Sequence, residues 1–177
     1  SSVALIVAAI VFIPFINPSM ANDYLETISL WFNTFEFNGS IYYLLRWIGY
    51  QITGWNMIAY FGKALTAISL IVLFFLALRS TENRKMQLQS MVLALLIYFL
   101  LATTVHPWYL IIPLSLSILN NHKLPILVWT FTIFFSYHAY QVGGFQENTF
   151  WLFAEYLPVF AAIFFSYKNY FAFLKPK

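Results

Sequence analysis

The sequence predicts an all-α membrane bundle of about six transmembrane helices, with one further amphipathic helix lying along the outer interface. Three observations carry this prediction. Of the 177 residues, 62% are hydrophobic and only 8% are charged, whereas soluble domains carry about 25% charged residues. Apolar runs approaching the ~20 residues that a spanning helix needs recur along the whole chain. The basic residues gather in a few connections, which gives the spans a consistent orientation. Residues 1–177 therefore read as a single transmembrane domain.

The same composition excludes several function classes. A net charge of +3 spread over nine bases contains no basic run of the kind that binds nucleic acid. Cysteine is absent, so a disulfide framework and a thiolate metal site are ruled out. The three histidines, His106, His122 and His138, are too far apart for a local metal motif.

The first element covers 2–16. Ser1-Ser2 leads straight into "VALIVAAIVFIPFI", with no initiator Met, basic n-region or small-residue cleavage site. The expectation is a C-terminal fragment of a longer membrane protein, entering inside or just before a span. Residues 17–54 follow and are too apolar for an ordinary loop. Asn17-Pro18 is a turn signal, and Asn22 is expected to cap a helix, with Asp23 and Glu26 in its first turn. Tyr24, Leu25, Ile28, Trp31 and Phe32 then form a one-sided stripe suited to the membrane interface. The aromatic-rich "FEFNGSIYYLLRWIGYQITG" returns toward the second span.

Further spans are expected at 55–78, 88–105, 107–119, 124–140 and 149–167. With six spans, Arg79, Arg84, Lys85, Lys123, Lys168, Lys175 and Lys177 all fall on the cytoplasmic side. The outer side receives 17–54, the turn at 103–109 and "QVGGFQEN". These hold Asp23, Glu26, Glu36 and Glu147 but only one base, Arg46.

The turn "TTVHPWY" at 103–109 interrupts two apolar runs. Leu88 to Leu119 is 32 residues, whereas two full spans need ~40. The shortfall of about four residues per arm is ~6 Å at 1.5 Å per residue. His106 is thus expected below the outer surface, in a cavity or buried in protein. Pro107 suits the first position of the next helix, and that helix's positive end with His106 and Trp108 suits an anionic head group. The alternative reading is an interfacial turn histidine, with Trp108 and Tyr109 in the aromatic belt.

Other polar residues carry paired readings. Lys63, within the second span, either faces a cavity or partner or snorkels outward. Arg46 either holds a lipid phosphate bidentately or pairs with Glu36 or Glu26. Glu155 in the last span is expected to pair with a neighbour, His138 to be structural or interfacial, and Gly143-Gly144 to be a plain turn. No carboxylate pair has the spacing of an acid/base couple.

Two segments, "FEFNGSIYYLLR" (35–46) and "TTVHPWYLIIPL" (103–114), carry a resemblance. Together and in this order they resemble the C-terminal half of bacterial polytopic glycosyltransferases of the GT-C superfamily, particularly polyprenyl-phosphate-mannose-dependent mannosyltransferases. The likeness covers roughly residues 10–120. It implies a multi-pass protein of the bacterial inner (plasma) membrane. Such a protein transfers a hexose, mannose by the resemblance, from a polyprenyl-phosphate donor to a glycan or glycolipid acceptor at the outer face. It also implies an upstream half with a catalytic acidic residue in its first outer loop, so the fragment alone is expected to be inactive. Membrane lipids and that N-terminal half are the implied partners, the lipid-linked sugar is a substrate, and neither cofactor nor metal is assigned. Carried over, His106, Trp108 and Tyr109 lie at the donor cavity, with Asn38, Ser40 and Arg46 near it; Lys63 joins them as a substrate-binding candidate from its place in the membrane. The alternatives are a transporter or flippase of lipid-linked sugars, which favours paired broken helices, and a non-catalytic membrane scaffold.

Overall fold

A computed structural model describes residues 2–78, 83–119 and 123–167. Arg79, Lys168, Lys175 and Lys177, on which part of the charge partition rests, lie outside the described residues, as does His122. So do the side chains of Trp31 and Phe32 from the predicted stripe.

The architecture is all-α apart from one two-residue hairpin. The helices are α1 Ser2–Phe12, α2 Met20–Thr34, α3 Ile41–Thr53, α4 Ile58–Leu78, α5 Arg84–Leu101, α6 Ile111–Ile118, α7 Leu124–Thr132 and α8 Thr149–Tyr167. Strands β1 Tyr140–Gln141 and β2 Gly144–Phe145 pair antiparallel across the Val142–Gly143 turn. Among the described residues three helices are long and apolar enough to cross a membrane: α4 with 21 residues, α5 with 18 and α8 with 19. A fourth span results if the segments Val3–Phe15 and Met20–Leu30 count as one, but they are bent by 94° at the Asn17-Pro18 corner. The predicted stretches 107–119 and 124–140 form the shorter apolar helices Pro107–Ile118 and Leu124–Ala139.

Two of the expected elements shift, each for a local reason. Helix α2 begins at Met20 rather than after Asn22, which lies within its first turn. The Ser19 hydroxyl lies 2.7 Å from Asp23 Oδ2, and the Asn17 carbonyl accepts from the Met20 N–H at 3.1 Å, so the turn closes before Asn22 is reached. The predicted span 88–105 runs instead from Arg84 to Leu101. At its start, the Asn83 side chain accepts from the Lys85 and Met86 N–H groups at 3.0 and 3.4 Å, a side-chain N-cap. At its end, residues 102–105 leave the helix to pair with Phe37.

The main core lies between α5, α7 and α8. Val92, Leu96, Ile126, Trp129, Ile133 and Val159 are buried there in one apolar cluster. A second cluster joins α3 to α4 through Tyr42, Tyr43, Ile58 and Leu65. The outward faces are apolar as well: Leu70, Phe74 and Phe75 on α4 and Phe153, Leu157 and Phe164 on α8 are exposed. An aqueous surface does not carry apolar area on this scale, so these faces suit lipid contact.

The last stretch before the hairpin is a seven-residue 3-10 helix, Ile133–Ala139, which continues α7 directly. Its rise of ~2.0 Å per residue exceeds the ~1.5 Å of an α-helix. The segment 124–139 therefore reaches ~28 Å, close to the ~30 Å hydrocarbon thickness of a bilayer.

Candidate functional site

The two sequence segments that carry the family resemblance meet in the fold. Phe37 and Thr104 form a parallel backbone bridge. The Phe37 N–H donates to the Thr103 carbonyl at 3.1 Å, and the Val105 N–H donates to the Phe37 carbonyl at 2.8 Å. Thr104 Oγ1 adds a bond to the Phe35 carbonyl at 3.1 Å, and Ser40 Oγ donates to the Leu100 carbonyl at 2.7 Å, near the end of α5. Gly39 makes the approach possible, since a Cβ there would lie 3.2 Å from the Thr103 carbonyl oxygen and 2.9 Å from the Tyr42 ring.

Asn38 is the hub of this junction. It is 0% exposed and holds φ of 51°, a left-handed conformation that Asn tolerates better than most residues. Its N–H donates to Glu147 Oε1 at 2.6 Å and its Nδ2 to Glu155 Oε1 at 2.9 Å. Its carbonyl accepts from the Tyr156 hydroxyl at 2.5 Å. Trp129 Nε1 donates to the same Glu155 oxygen at 2.8 Å. One asparagine thus ties the 35–40 loop to the hairpin exit and to α8, while Trp129 extends the network to α7.

His106 stands on the other side of Phe37. Its ring stacks on Phe37 at 4.7 Å and on Trp108 at 4.4 Å, with Tyr109 edge-on at 5.3 Å. Pro107 begins the 3-10 turn Pro107–Leu110, as its place in the sequence suggests. His106 Nδ1 is buried and has no hydrogen-bond partner among the described residues. Burial lowers the imidazole pKa below its ordinary value, which favours the neutral ring.

Arg46 pairs with Glu36, one of the two readings its sequence context left open. The guanidinium also lies 4.4 Å over the Tyr43 ring. Glu36 further accepts from the Tyr42 hydroxyl and, at 3.1 Å, from Asn56 Nδ2, so its carboxylate is well satisfied. Burial raises the pKa values of Tyr42 and Tyr43, with the Glu36 and Glu147 charges adding to the effect, so both phenols stay protonated. Burial also raises the Glu147 pKa, opposed by its Tyr43 and Asn38 contacts. Lys63 is exposed on α4 and makes no hydrogen bond or ion pair among the described residues; it does not join the cluster.

Two hollows flank the junction. One, of about 250 Å³, lies between α2, α4 and α5 and is lined mainly by apolar surface with Thr66, Ser69, Thr103, Thr104, Tyr98 and Tyr109. His106 and Trp108 do not line it. The other is small, about 10 Å³, and lies beside Asn38, Ser136, His138, Glu147, Trp151 and Glu155.

The bridge thus unites Asn38 and Ser40 with His106, Trp108 and Tyr109, and leaves Lys63 apart. Sequence reasoning missed Phe37, Glu147, Trp129 and Tyr156 as partners. The available signal was Glu155, an acid in an apolar helix that needs hydrogen-bond donors from somewhere. Comparison with family models, curated proteins and solved structures finds no match.

Proposed function

We propose that the chain is part of an integral-membrane glycosyltransferase that moves a hexose, mannose by its family resemblance, from a polyprenyl phosphate to an acceptor hydroxyl at the outer face. One observation carries the reading. The two motif segments come together at the Phe37–Thr104 bridge, beside a largely apolar hollow of about 250 Å³ edged with hydroxyls. A lipid phosphate needs this combination: apolar walls for the first prenyl units, and hydrogen-bond donors where the head group sits.

In this reading Tyr109, Thr103 and Thr104 line the donor hollow, while His106 and Trp108 stand outside it, packed beside Tyr109, where the head group leaves the hollow. The neutral imidazole donates an N–H to the phosphate, whose negative charge grows as the sugar departs. Asn38 and Arg46, both held by internal partners, position the 35–46 segment, and Ser40 anchors it to α5. Lys63 stays at the lipid boundary. The catalytic acid belongs to the upstream half that the resemblance implies.

The reading includes six spans, with 107–118 and 124–139 crossing or nearly crossing the bilayer. The first of these is four 3-10 residues and eight α-helical residues, or ~20 Å. It therefore leaves His106 below the outer surface. Because the chain has no cysteine, single substitutions can report sidedness. Asn83→Cys and Lys123→Cys should label from the cytoplasm and Gln146→Cys from outside in intact cells. Labelling of position 123 from outside would make 107–139 a re-entrant hairpin instead.

The donor hollow is tested by filling it. Thr66→Trp, assayed in membranes that carry the protein, should raise the KM for the polyprenyl-phosphate sugar by about tenfold or more, equivalent to ~1.4 kcal/mol of lost binding. The acceptor KM should be unchanged. An unaltered donor KM in a correctly folded variant would remove the hollow from the donor path.

A further inference from the structure

Two residues that line the small hollow beside Asn38 each keep one buried acceptor atom without a donor. Asn38 and Glu155 are both 0% exposed. Asn38 Oδ1 and Glu155 Oε2 are buried without a hydrogen-bond partner among the described residues. The other atoms of these groups are already committed. Asn38 Nδ2 donates to Glu155 Oε1 at 2.9 Å, and Trp129 Nε1 donates to the same oxygen at 2.8 Å. Since a carboxylate only accepts, the amide orientation is fixed, and the Asn38 oxygen is the atom left over.

Both residues line the hollow, as does a second carboxylate, Glu147. Among the described residues Arg46–Glu36 is the ion pair formed, so Glu147 and Glu155 have no salt-bridge partner there. Two carboxylates and an amide oxygen around one buried point need a positive charge or several donors. The hollow is about 10 Å³, room for the ion itself, and its waters would stand in the adjoining cleft that Glu147 and Asn148 also line.

It also has a wet approach. Glu147 and Asn148 line, on their other side, an open cleft of about 330 Å³ together with Gln141, Gln146 and Thr149. Every side chain of that cleft is polar. Glu147 and Asn148 line both spaces, which sets the polar cleft next to the buried oxygens.

We propose that Asn38 Oδ1, Glu155 Oε2 and the Glu147 carboxylate bind one hard divalent cation of the Mg²⁺, Ca²⁺ or Mn²⁺ class, with water completing its shell. Oxygen donors from carboxylate and amide suit these ions rather than zinc or copper. Among the described residues no group of three or more His, Cys, Asp or Glu side chains could hold a metal ion, so the site rests on two carboxylates and one amide oxygen. Mg²⁺ commonly binds through one or two carboxylates and keeps several waters. The ion would lock the 35–40 loop, the hairpin exit and α8 together at the place where Asn38 already joins them. The proposal stands on these oxygens and is independent of the transferase reading.

The test uses the purified full chain in detergent with Tb³⁺ as the probe. Trp129, bonded to Glu155, and Trp151, on the wall of the hollow, are the sensitisers. Saturable Tb³⁺ luminescence at one equivalent, displaced by Ca²⁺ or Mg²⁺, is expected. Glu155→Gln and Glu147→Gln should each weaken binding by about 10- to 100-fold, and Glu26→Gln, on exposed α2, should leave it unchanged. Glu155→Gln keeps the shape of the side chain, and its melting temperature shows whether it folds. Absence of a saturable signal, or equal binding by a folded Glu155→Gln, would overturn the proposal. Glu155 would then be a neutral acid that closes a two-bond pair with the Asn38 amide, an arrangement that glutamine reproduces.

Discussion

Asn38→Ala is expected to destabilise the protein by about 3 kcal/mol, because it removes a hydrogen bond to a buried carboxylate and leaves that group with one donor fewer. The backbone adds to the loss. Asn38 has φ of 51°, and an alanine held there costs roughly a further 1 kcal/mol. At 2–4 °C per kcal/mol for a chain of this size, the melting temperature should fall by about 10 °C. Asn38→Gly separates the two contributions, since glycine loses the Glu155 bond but adopts the left-handed conformation freely. It should be the more stable of the two variants by about 1 kcal/mol. Ser40→Ala, which removes only a neutral bond to the Leu100 carbonyl, should cost about 1 kcal/mol. Thermal unfolding of the four proteins in one detergent checks the order: wild type, Ser40→Ala, Asn38→Gly, Asn38→Ala. If all three variants melt with wild type, the hub carries no stability.

The long helices were legible in the sequence for a simple reason. Residues 58–78 and 149–167 are near-continuous apolar runs, and no competing interaction alters them. Element ends were less legible, because they depend on partners. "ATTV" extends the apolar pattern of α5 smoothly, yet it leaves the helix because the Phe37 backbone offers it a bridge. That bridge joins positions 67 residues apart, and no local pattern announces it. Asn22 looked like a cap, but the Pro18 turn had already closed at Met20. The 3-10 stretch 133–139 was equally hidden, since an i, i+3 register and an i, i+4 register share most of their apolar positions.

The site was legible in part. The motif segments drew attention to Asn38, Ser40, His106, Trp108 and Tyr109, and these residues do lie at one junction. The acids were not legible as a group. Asn38 bonds to Glu155 across 117 positions and to Glu147 across 109, so their nearness follows from tertiary packing alone. Arg46 shows the opposite case: Glu36 is ten positions away, and the pair was foreseen as one of two readings.

His106 carries the largest expected effect on activity. Its ring is held between Phe37 and Trp108, so replacing it changes packing as well as chemistry, and the two must be separated. His106→Phe keeps an aromatic ring in the stack and removes both nitrogens; His106→Ala removes everything. A hydrogen bond to a charged group is worth ~1.5–3 kcal/mol. If the imidazole N–H contacts the donor phosphate, both variants should lose about 10- to 100-fold in kcat/KM. Tyr60→Ala, an exposed aromatic on α4 that touches Trp55, is the control and should stay near wild type.

The most direct measurement is therefore sugar transfer from a polyprenyl-phosphate mannose by membranes that carry the protein, comparing wild type, His106→Phe, His106→Ala and Tyr60→Ala at matched melting temperatures. The account predicts transfer by wild type and Tyr60→Ala, with a loss of about 10- to 100-fold in both His106 variants. Absence of transfer by wild type, or full activity of His106→Phe, would contradict it.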